Sequence, residues 1–317
     1  MNARTAIGSS DLEIAPLALG GNVFGWTADR DTSFAVLDAF AAGGGDFVDT
    51  ADGYSAWVPG HAGGESETII GAWMADRGNR DRVTVATKVS THPAFSGLAG
   101  ENVRAAADAS LQRLGTDRID LYYAHFDDEQ TPLEETVAAF SGLVDAGKIR
   151  AIGVSNYTAE RVEEWFRIAR AGGYHLPVAL QPHYNLLERD FETNGLRAAA
   201  EREGLSVFPY FSLAEGFLAG KYREAGDAAA AGASDRAEDA IRYLDDRGRA
   251  VLAALDAIAA AHGAEVASVS LAWLRQQPTV AAPLASARST AQLTALLASM
   301  KLELSAAELA ALTAASA

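Results

Sequence analysis

The chain has no cysteine among its 317 residues. This absence excludes disulfide bonds, thiolate nucleophiles and cysteine-ligated metal centres. Positive charge is also scarce, since 26 Lys and Arg stand against 42 Asp and Glu for a formal net charge of -16. Such a field repels polyanions, so nucleic acids and anionic membrane surfaces are poor partners for this protein.

Long apolar runs are missing too. No stretch offers the roughly 18 consecutive apolar residues of a membrane-spanning helix, and the charged N-terminal segment lacks the apolar core of a signal peptide. The six histidines show no metal-ligand spacing such as H-E-x-x-H. We therefore predict a cytoplasmic protein without a bound metal.

Short continuous apolar runs recur along the chain, as they do in buried parallel strands. The predicted strands are Leu17–Gly20, Phe47–Thr50, Val83–Lys88, Ile119–Ala124, Ile149–Val154, Val178–Gln181, Leu205–Pro209 and Val280–Leu284. Between them lie predicted helices at Thr32–Ala42, Glu67–Asp76, Glu101–Leu114, Leu133–Ala146, Ala159–Ala171, Gly195–Glu203 and Ser268–Gln276. This alternation favours an α/β fold of the (β/α)8 TIM-barrel type over an open doubly wound sheet. The turn Gly20–Gly25 also lacks the G-x-G-x-x-G spacing that such an open sheet usually carries.

Both ends of the chain carry additions to this barrel. Arg4–Ile7 and Leu12–Ile14 flank a short polar turn, which predicts an N-terminal β-hairpin that closes the barrel bottom. Ser305 and Glu308 have the spacing of a capping box, which predicts an extra C-terminal helix. The segment Glu224–Asp239 is rich in alanine, glycine and acids, so we predict a mobile loop that closes over a ligand. No Pro-rich linker divides the chain, and residues 1–317 are assigned to one domain.

The residues that follow the strands decide the chemistry, because such a barrel forms its site at the C-terminal ends of its strands. Among them, Asp49, Tyr54, Lys88 and His125 handle protons or charge. An ammonium beside a phenol favours the phenolate, so Lys88 is expected to lower the pKa of Tyr54. Asp49 is expected to orient the lysine, and His125 to donate a hydrogen bond to a substrate oxygen. This set suits carbonyl chemistry at a nicotinamide, which must supply the hydride.

Six segments then carry a resemblance to a known family. They are Phe47–Tyr54, Val85–Lys88, Asp120–His125, Ile152–Asn156, Gln181–Arg189 and Gly216–Tyr222. Through these segments, and so over nearly its whole length, the chain resembles the aldo-keto reductase superfamily. The resemblance implies NADPH-dependent reduction of an aldehyde or ketone, with Tyr54 as general acid, Asp49 and Lys88 tuning it, and His125 orienting the carbonyl.

The resemblance also implies a cofactor site on the later strands. Ser155, Asn156 and Gln181 would hold the nicotinamide carboxamide, and Tyr210 would stack on its ring. The other cofactor candidates are Gly21 and Asn22 after the first strand, Phe211, Leu213, Gly216 and Lys221 in a loop over the pyrophosphate, and Ser286, Arg288 and Gln292 at the adenosine end. The planar guanidinium of Arg288 suits a 2′-phosphate. Trp26, Trp57 and Phe126 are the candidates for the substrate pocket.

Each candidate also has a structural explanation. Asp49 could cap a helix, and the Ser155-Asn156 pair could form a turn or a cap. Tyr54 could be a packing tyrosine, Lys88 a surface charge at a strand end, and His125 a structural histidine. Arg288 and Gln292 could belong to a solvated face. Two other functions stay open as well. The same site could run in reverse as an alcohol or sugar dehydrogenase, or the chain could be a nicotinamide-binding regulatory subunit with little turnover. The physiological substrate and the oligomeric state are not specified by the sequence.

Overall fold

The computed structural model describes residues 4–229 and 236–317 of the chain. Its strands are β1 (Thr5–Ala6), β2 (Glu13–Ile14), β3 (Ala18–Gly20), β4 (Phe47–Asp49), β5 (Thr84–Val89), β6 (Thr91–His92), β7 (Phe95–Ser96), β8 (Ile119–Ala124), β9 (Ile149–Ser155), β10 (Ala179–Gln181), β11 (Ser206–Val207) and β12 (Leu284–Ala285). Eight of them form one parallel sheet in the order β11, β10, β9, β8, β5, β4, β3, β12. The other four form two small antiparallel pairs, β1 with β2 and β6 with β7.

Backbone hydrogen bonds close this sheet into a ring. The Val207 N–H donates to the Thr279 carbonyl at 2.9 Å, and the Ala281 N–H donates back to the Val207 carbonyl at 2.9 Å. One step further, the Leu284 N–H donates to the Pro209 carbonyl at 2.9 Å. The predicted (β/α)8 barrel is therefore confirmed, with its seam between β11 and the segment that leads into β12.

The predicted strand bounds agree best with the observed bounds where every residue of the apolar run is buried. β8 has the predicted bounds, and all six of its residues are buried. The prediction is poorest for the eighth barrel strand, where Val280–Leu284 was expected and only Leu284–Ala285 pairs with β3. Pro283 is the reason, since it has no N–H to continue a ladder. Val280 instead bridges to Val207 across the seam.

Helices connect the barrel strands on the outside. In the described residues they are α1 (Arg30–Ala42), α2 (Glu65–Arg77), α3 (Gly100–Leu114), α4 (Leu133–Asp145), α5 (Ala159–Gly172), α6 (Leu196–Glu203), α7 (Ala237–Ile241), α8 (Asp246–His262), α9 (Val266–Arg275), α10 (Thr290–Ser299) and α11 (Ala306–Ala315). The predicted C-terminal helix is confirmed as α11, with its capping box at Ser305 and Glu308. The long helix α8 was not predicted, although Asp245 caps it by accepting the Gly248 N–H.

The N-terminal hairpin closes the bottom of the barrel, as predicted. Ile7, Leu12 and Ile14 are buried in one cluster with inward-facing residues of the barrel strands, such as Phe47. The turn residue Gly8 has a left-handed φ of 51°, and a Cβ added there would lie 2.5 Å from the Val178 carbonyl oxygen. Only glycine fits this position, because both the backbone conformation and the close approach exclude a side chain.

The predicted loop Glu224–Asp239 is wrong at both of its ends. Ala225–Ala229 forms a 3-10 helix, and α7 begins at Ala237. The middle of the predicted loop, residues 230–235, lies outside the described residues. Among the helices of the described segments, no single one is long and apolar enough to cross a membrane; α8 and α9 reach that length and composition only as a pair bent by 99°.

Candidate active site

A cleft of about 400 Å³ opens at the C-terminal ends of the barrel strands. The predicted site residues in its walls are Asn22, Trp26, Asp49, Tyr54, Trp57, His125, Phe126, Ser155, Asn156, Gln181, Tyr210, Phe211, Leu213, Gly216, Lys221, Ser286, Arg288 and Gln292. Two predicted residues, Gly21 and Lys88, are not part of the wall. The structure thus brings the predicted set to one place, and the role of each residue stays a prediction.

Gly21 lies behind the wall. Its N–H donates to the Asp49 carbonyl at 2.7 Å, and its carbonyl accepts the Ser66 hydroxyl at 2.7 Å. The preceding Gly20 does line the cleft, where an added Cβ would lie 2.5 Å from the Ser286 hydroxyl oxygen. The glycine in the cleft wall is therefore Gly20 and not the predicted Gly21.

Lys88 lies beneath the cleft and joins the predicted catalytic residues. It projects from β5, and its side chain is fully buried. The Nζ atom lies 2.5 Å from Asp49 Oδ1, 2.7 Å from the Thr50 carbonyl oxygen and 3.1 Å from Tyr54 Oη. Asp49 is held from its other side by Gln181 Nε2, at 2.9 Å from Oδ2. An ammonium with three oxygen partners is thus fixed against the phenol.

The protonation states follow from burial and from these contacts. Burial raises the pKa of Tyr54, and the nearby Lys88 ammonium opposes this rise without cancelling it. Lys88 thus lowers the pKa of Tyr54 as expected, but burial is the larger effect, so the pKa as a whole lies above its ordinary value. Burial alone would lower the pKa of Lys88, but Asp49 and Tyr54 together raise it. At neutral pH the site holds a protonated phenol next to an ammonium.

His125 is a neutral imidazole in this arrangement. Burial, and then the charge of Lys88, holds its pKa well below the ordinary range. The ring lies 6.1 Å from the ring of Tyr54, centre to centre, and Nδ1 lies 3.4 Å from Thr91 Oγ1. A neutral imidazole beside a phenol can donate one hydrogen bond to an oxygen bound between them.

Hydrogen bonds connect the residues that are expected to bind the carboxamide on one side of the cleft. Asn156 donates to the His125 carbonyl at 2.9 Å and accepts the Tyr210 hydroxyl at 2.7 Å, while Ser155 donates to the Gln181 carbonyl at 2.9 Å. Asn156 itself has a left-handed φ of 55°. His183 stacks on the Tyr210 ring at 5.2 Å. These contacts fix Tyr210 as a flat wall, although they also engage both ends of the Asn156 amide.

The opposite end of the cleft is cationic. Lys221 and Arg288 lie together there, since burial and then the charge of Arg288 lower the pKa of Lys221. A third cation, Arg236, lines the cleft on the side of Trp26. Like charges brought together in one wall are typical of an anion-binding site. Arg236 was not predicted, because it precedes α7 in a segment that carries no motif. Its guanidinium lies 5.4 Å from the Trp26 ring centre and 5.5 Å from that of Phe211.

The family assignment comes from comparison with known proteins. The model of the aldo/keto reductase family matches residues 16–317. The chain belongs to this family. The protein tas of Escherichia coli (strain K12) is 34% identical over 93% of this chain and 92% of its own length. Aldo-keto reductase YhdN of Bacillus subtilis (strain 168) is 33% identical over 93% and 86%. Norsolorinic acid reductase B of Aspergillus parasiticus is 31% identical over 90% and 76%.

As an aldo-keto reductase, the protein is an oxidoreductase that acts on small carbonyl compounds with a nicotinamide cofactor. The described parts of this aldo-keto reductase contain no group of three or more His, Cys, Asp or Glu that could hold a metal ion.

Aromatic rings form the outer wall of the reductase cleft. Trp57 meets Trp26 edge-to-face at 5.5 Å and Tyr54 at 6.1 Å, centre to centre. On the other side, Phe126 packs against His125 at 4.8 Å. Trp57 and Phe126 are 51% and 46% exposed. Large exposed aromatic groups at a cleft mouth suit an apolar ligand.

Two buried acids of the reductase, Glu67 and Asp52, and the partly buried Arg113 lie behind the site, and the sequence-based reasoning did not find them. Glu67 on α2 accepts the Thr87 hydroxyl at 2.5 Å and the Arg113 Nε–H at 2.6 Å. Asp52, in the turn between β4 and Tyr54, is fully buried, and neither of its carboxyl oxygens has a hydrogen-bond partner. The sequence offered no signal, because a charged residue in a turn is ordinarily exposed.

Proposed function

We propose that this protein reduces an aldehyde or ketone with NADPH and that Tyr54 is the general acid. The observation that supports this proposal is the position of Lys88 Nζ, 2.5 Å from Asp49 Oδ1 and 3.1 Å from Tyr54 Oη. An ammonium at this distance stabilises the phenolate that forms as the proton leaves. Burial keeps the phenol protonated until then.

In this proposal each residue around the Tyr54 phenol has its own role in reducing the carbonyl. A bound nicotinamide supplies the hydride, which is chemistry that no side chain offers. Tyr54 donates its proton to the carbonyl oxygen, and Lys88 stabilises the phenolate left behind. Neutral His125 donates a hydrogen bond to the same oxygen and so orients the carbonyl carbon. Asp49 holds Lys88 in place while Gln181 holds Asp49.

The cleft fits a dinucleotide phosphate in the chemistry of its donors. Ser155, Asn156 and Gln181 offer amide and hydroxyl groups to a carboxamide, and the Tyr210 ring offers a flat face. Lys221 and Arg288 offer cations to phosphates, and Ser286 and Gln292 offer hydrogen bonds beside them. The Gln292 side chain is already oriented, because its Oε1 atom accepts a hydrogen bond from the Arg288 backbone N–H at 2.9 Å.

We also propose a substrate with an apolar body, since Trp26, Trp57 and Phe126 wall the cleft mouth. In addition, we infer that residues 1–317 act as one domain, which the packing of the N-terminal hairpin against the barrel strands supports. A cytoplasmic location stays a prediction.

The test of the catalytic role is Tyr54→Phe. This variant should lose at least about a thousandfold in kcat, within the range that general acid catalysis contributes, while the Kd for NADPH stays within a factor of about two. Tyr174→Phe, outside the cleft, is the matched control and should keep full turnover. Retained turnover in Tyr54→Phe refutes the assignment.

The test of the cofactor is a titration with NADPH and with NADH, followed by tryptophan fluorescence. Arg288→Ala should raise the Kd for NADPH about tenfold or more, because a charge-assisted phosphate bond contributes about 1.5–3 kcal/mol. The Kd for NADH should change little, since NADH has no 2′-phosphate. Arg167 is an exposed arginine on α5, so Arg167→Ala controls for the loss of one positive charge outside the cleft. Equal losses for both cofactors would place the 2′-phosphate elsewhere.

A further inference from the structure

Thr91 is a polar residue beside the site that the proposed mechanism does not use. Its Oγ1 atom lies 3.4 Å from Nδ1 of His125. On the other side it contacts the turn that carries Tyr54, because a Cβ added at Gly53 would lie 2.5 Å from Thr91 Oγ1. The Thr91 hydroxyl therefore lies between the segment of the predicted general acid and the imidazole.

The turn that leads from β5 into β6 is fixed against the strand end that carries His125. The His125 N–H donates to the Val89 carbonyl at 3.0 Å, and the Phe126 N–H donates to the Ser90 hydroxyl oxygen at 3.2 Å. Ser90 has a φ of 136°, which residues with a side chain rarely adopt. Such a backbone persists only where several contacts hold it, so a constrained turn brings Thr91 to the imidazole.

The partner of Nδ1 decides what the His125 ring can do. The neutral imidazole carries one proton, on Nδ1 or on Nε2. With Nδ1 engaged by Thr91, Nε2 is the ring nitrogen left for a ligand in the cleft that His125 lines. If Thr91 donates to Nδ1, the proton lies on Nε2. If Nδ1 carries the proton and donates to Thr91, Nε2 can only accept, and it cannot donate to a carbonyl oxygen.

We propose that Thr91 is a positioning residue whose hydroxyl donates to His125 Nδ1 and so selects the tautomer with its proton on Nε2. This inference depends on the proposed function, in which His125 donates a hydrogen bond to the carbonyl oxygen. Thr91 is exposed, so its oxygen can accept from water while its proton points to the ring. Thr91 is not part of the cleft wall, so it acts only through the imidazole.

The first measurement is the tautomer of His125 in the free protein, by NMR of the ring nitrogens after isotopic labelling of histidine. The signals that disappear in His125→Asn identify this ring. In the wild type the proton should lie on Nε2. Thr91→Val, which keeps the branched shape and removes the hydroxyl, should raise the share of the form with its proton on Nδ1, and Thr91→Ser should keep the wild-type tautomer. A wild-type proton on Nδ1, or a wild-type tautomer in Thr91→Val, overturns the proposal.

The second measurement is kcat for carbonyl reduction. Thr91→Val should lower kcat about three- to tenfold, the range that one neutral hydrogen bond contributes, while the Kd for NADPH stays within a factor of about two. Thr91→Ser should restore most of the rate. Equal losses in both variants would show that the shape of the side chain matters and not its hydroxyl, and would overturn the proposal. If Thr91→Val does not fold, Thr91→Ala serves for both measurements.

Thr193 offers a matched control outside the cleft. It is also an exposed threonine, and its hydroxyl lies 3.4 Å from its acceptor, the Asp190 carbonyl oxygen. Thr193→Val should therefore keep the wild-type kcat and the wild-type His125 tautomer.

The two measurements separate the possible failures. A wild type with the expected tautomers but without carbonyl turnover would refute the proposed function and support the link between Thr91 and His125. A wild type that reduces carbonyls, with a His125 tautomer that does not depend on the Thr91 hydroxyl, would support the proposed function and overturn the link.

Discussion

Replacing Asp52 with asparagine should make the folded protein more stable at neutral pH. The pKa of Asp52 lies at about 8 in the folded state against an ordinary value of 3.8. A difference of about four units corresponds to about 6 kcal/mol of free energy once it is fully developed, at about 1.4 kcal/mol per unit. At pH 7 about 4 kcal/mol of this destabilisation is present in the wild type. Asparagine cannot ionise, so the variant escapes it.

The sign of the pH dependence follows from proton binding. Between pH 4 and pH 8 the folded state keeps the Asp52 proton while the unfolded state has lost it, so the free energy of unfolding falls as pH rises. Above pH 8 both states are ionised and this contribution becomes constant. The stability difference between Asp52→Asn and wild type should therefore grow by about 1.4 kcal/mol per pH unit up to pH 8 and then level off.

Urea unfolding at several pH values measures this difference. The buried Trp73, Trp165 and Trp273 should give a fluorescence change on unfolding. A buried asparagine amide also lacks partners, which adds a constant offset, so the slope with pH is the decisive quantity. A stability difference that does not change between pH 5.5 and pH 8 would refute the argument that Asp52 is protonated.

Further predictions concern packing and the cleft mouth. Arg113→Met leaves Glu67 buried without its cation and should lower the free energy of unfolding by about 3–5 kcal/mol, measured by urea titration. Trp57→Ala should raise KM for an aromatic aldehyde about tenfold, because it removes an aromatic ring that could pack edge-to-face against the substrate. The Kd for NADPH should stay unchanged in a fluorescence titration. Gly8→Ala should cost more than about 1 kcal/mol in thermal unfolding, since both its backbone conformation and its contact with a neighbouring carbonyl forbid a Cβ.

Matched controls make these predictions decisive. Arg167→Met removes an exposed arginine and should leave the free energy of unfolding within about 0.5 kcal/mol of wild type. Gly147 has a similar left-handed φ of 70° but open space around it, so Gly147→Ala should cost less than Gly8→Ala. Equal costs at both glycines would show that contact plays no part. A Trp57→Ala variant that weakens NADPH binding as much as substrate binding would contradict its assignment to the mouth.

Strand positions were predictable because burial leaves a direct mark on the sequence. A strand covered on both faces is apolar throughout, and Ile119–Ala124 was found with its observed bounds. The eighth strand was misplaced because Pro283 breaks the ladder inside an apolar run. Periodicity describes which residues are buried, and it does not show which backbone groups can donate a hydrogen bond.

The sequence predicted most of the residues that line the cleft, but it did not predict how burial shifts their pKa values. Asp49, Tyr54 and His125 reach one cleft because the fold collects strand ends, which the sequence pattern encodes. The lowering effect of Lys88 on the pKa of Tyr54 was predicted, but the larger opposing effect of burial was not, because the depth of burial is a property of the packed molecule. Arg236 and Asp52 were missed for a related reason, since neither belongs to a motif and only folding brings them to the site.

The seam between β11 and β12 has a consequence for synthesis. Until the segment Val280–Ala285 has been made, the sheet of a growing chain has two unpaired edges, at β3 and β11, and such edges attract other strands. Only a chain that includes Val280–Ala285 can close the ring and pair both edges, so the danger of aggregation through these edges lasts until that segment has been made.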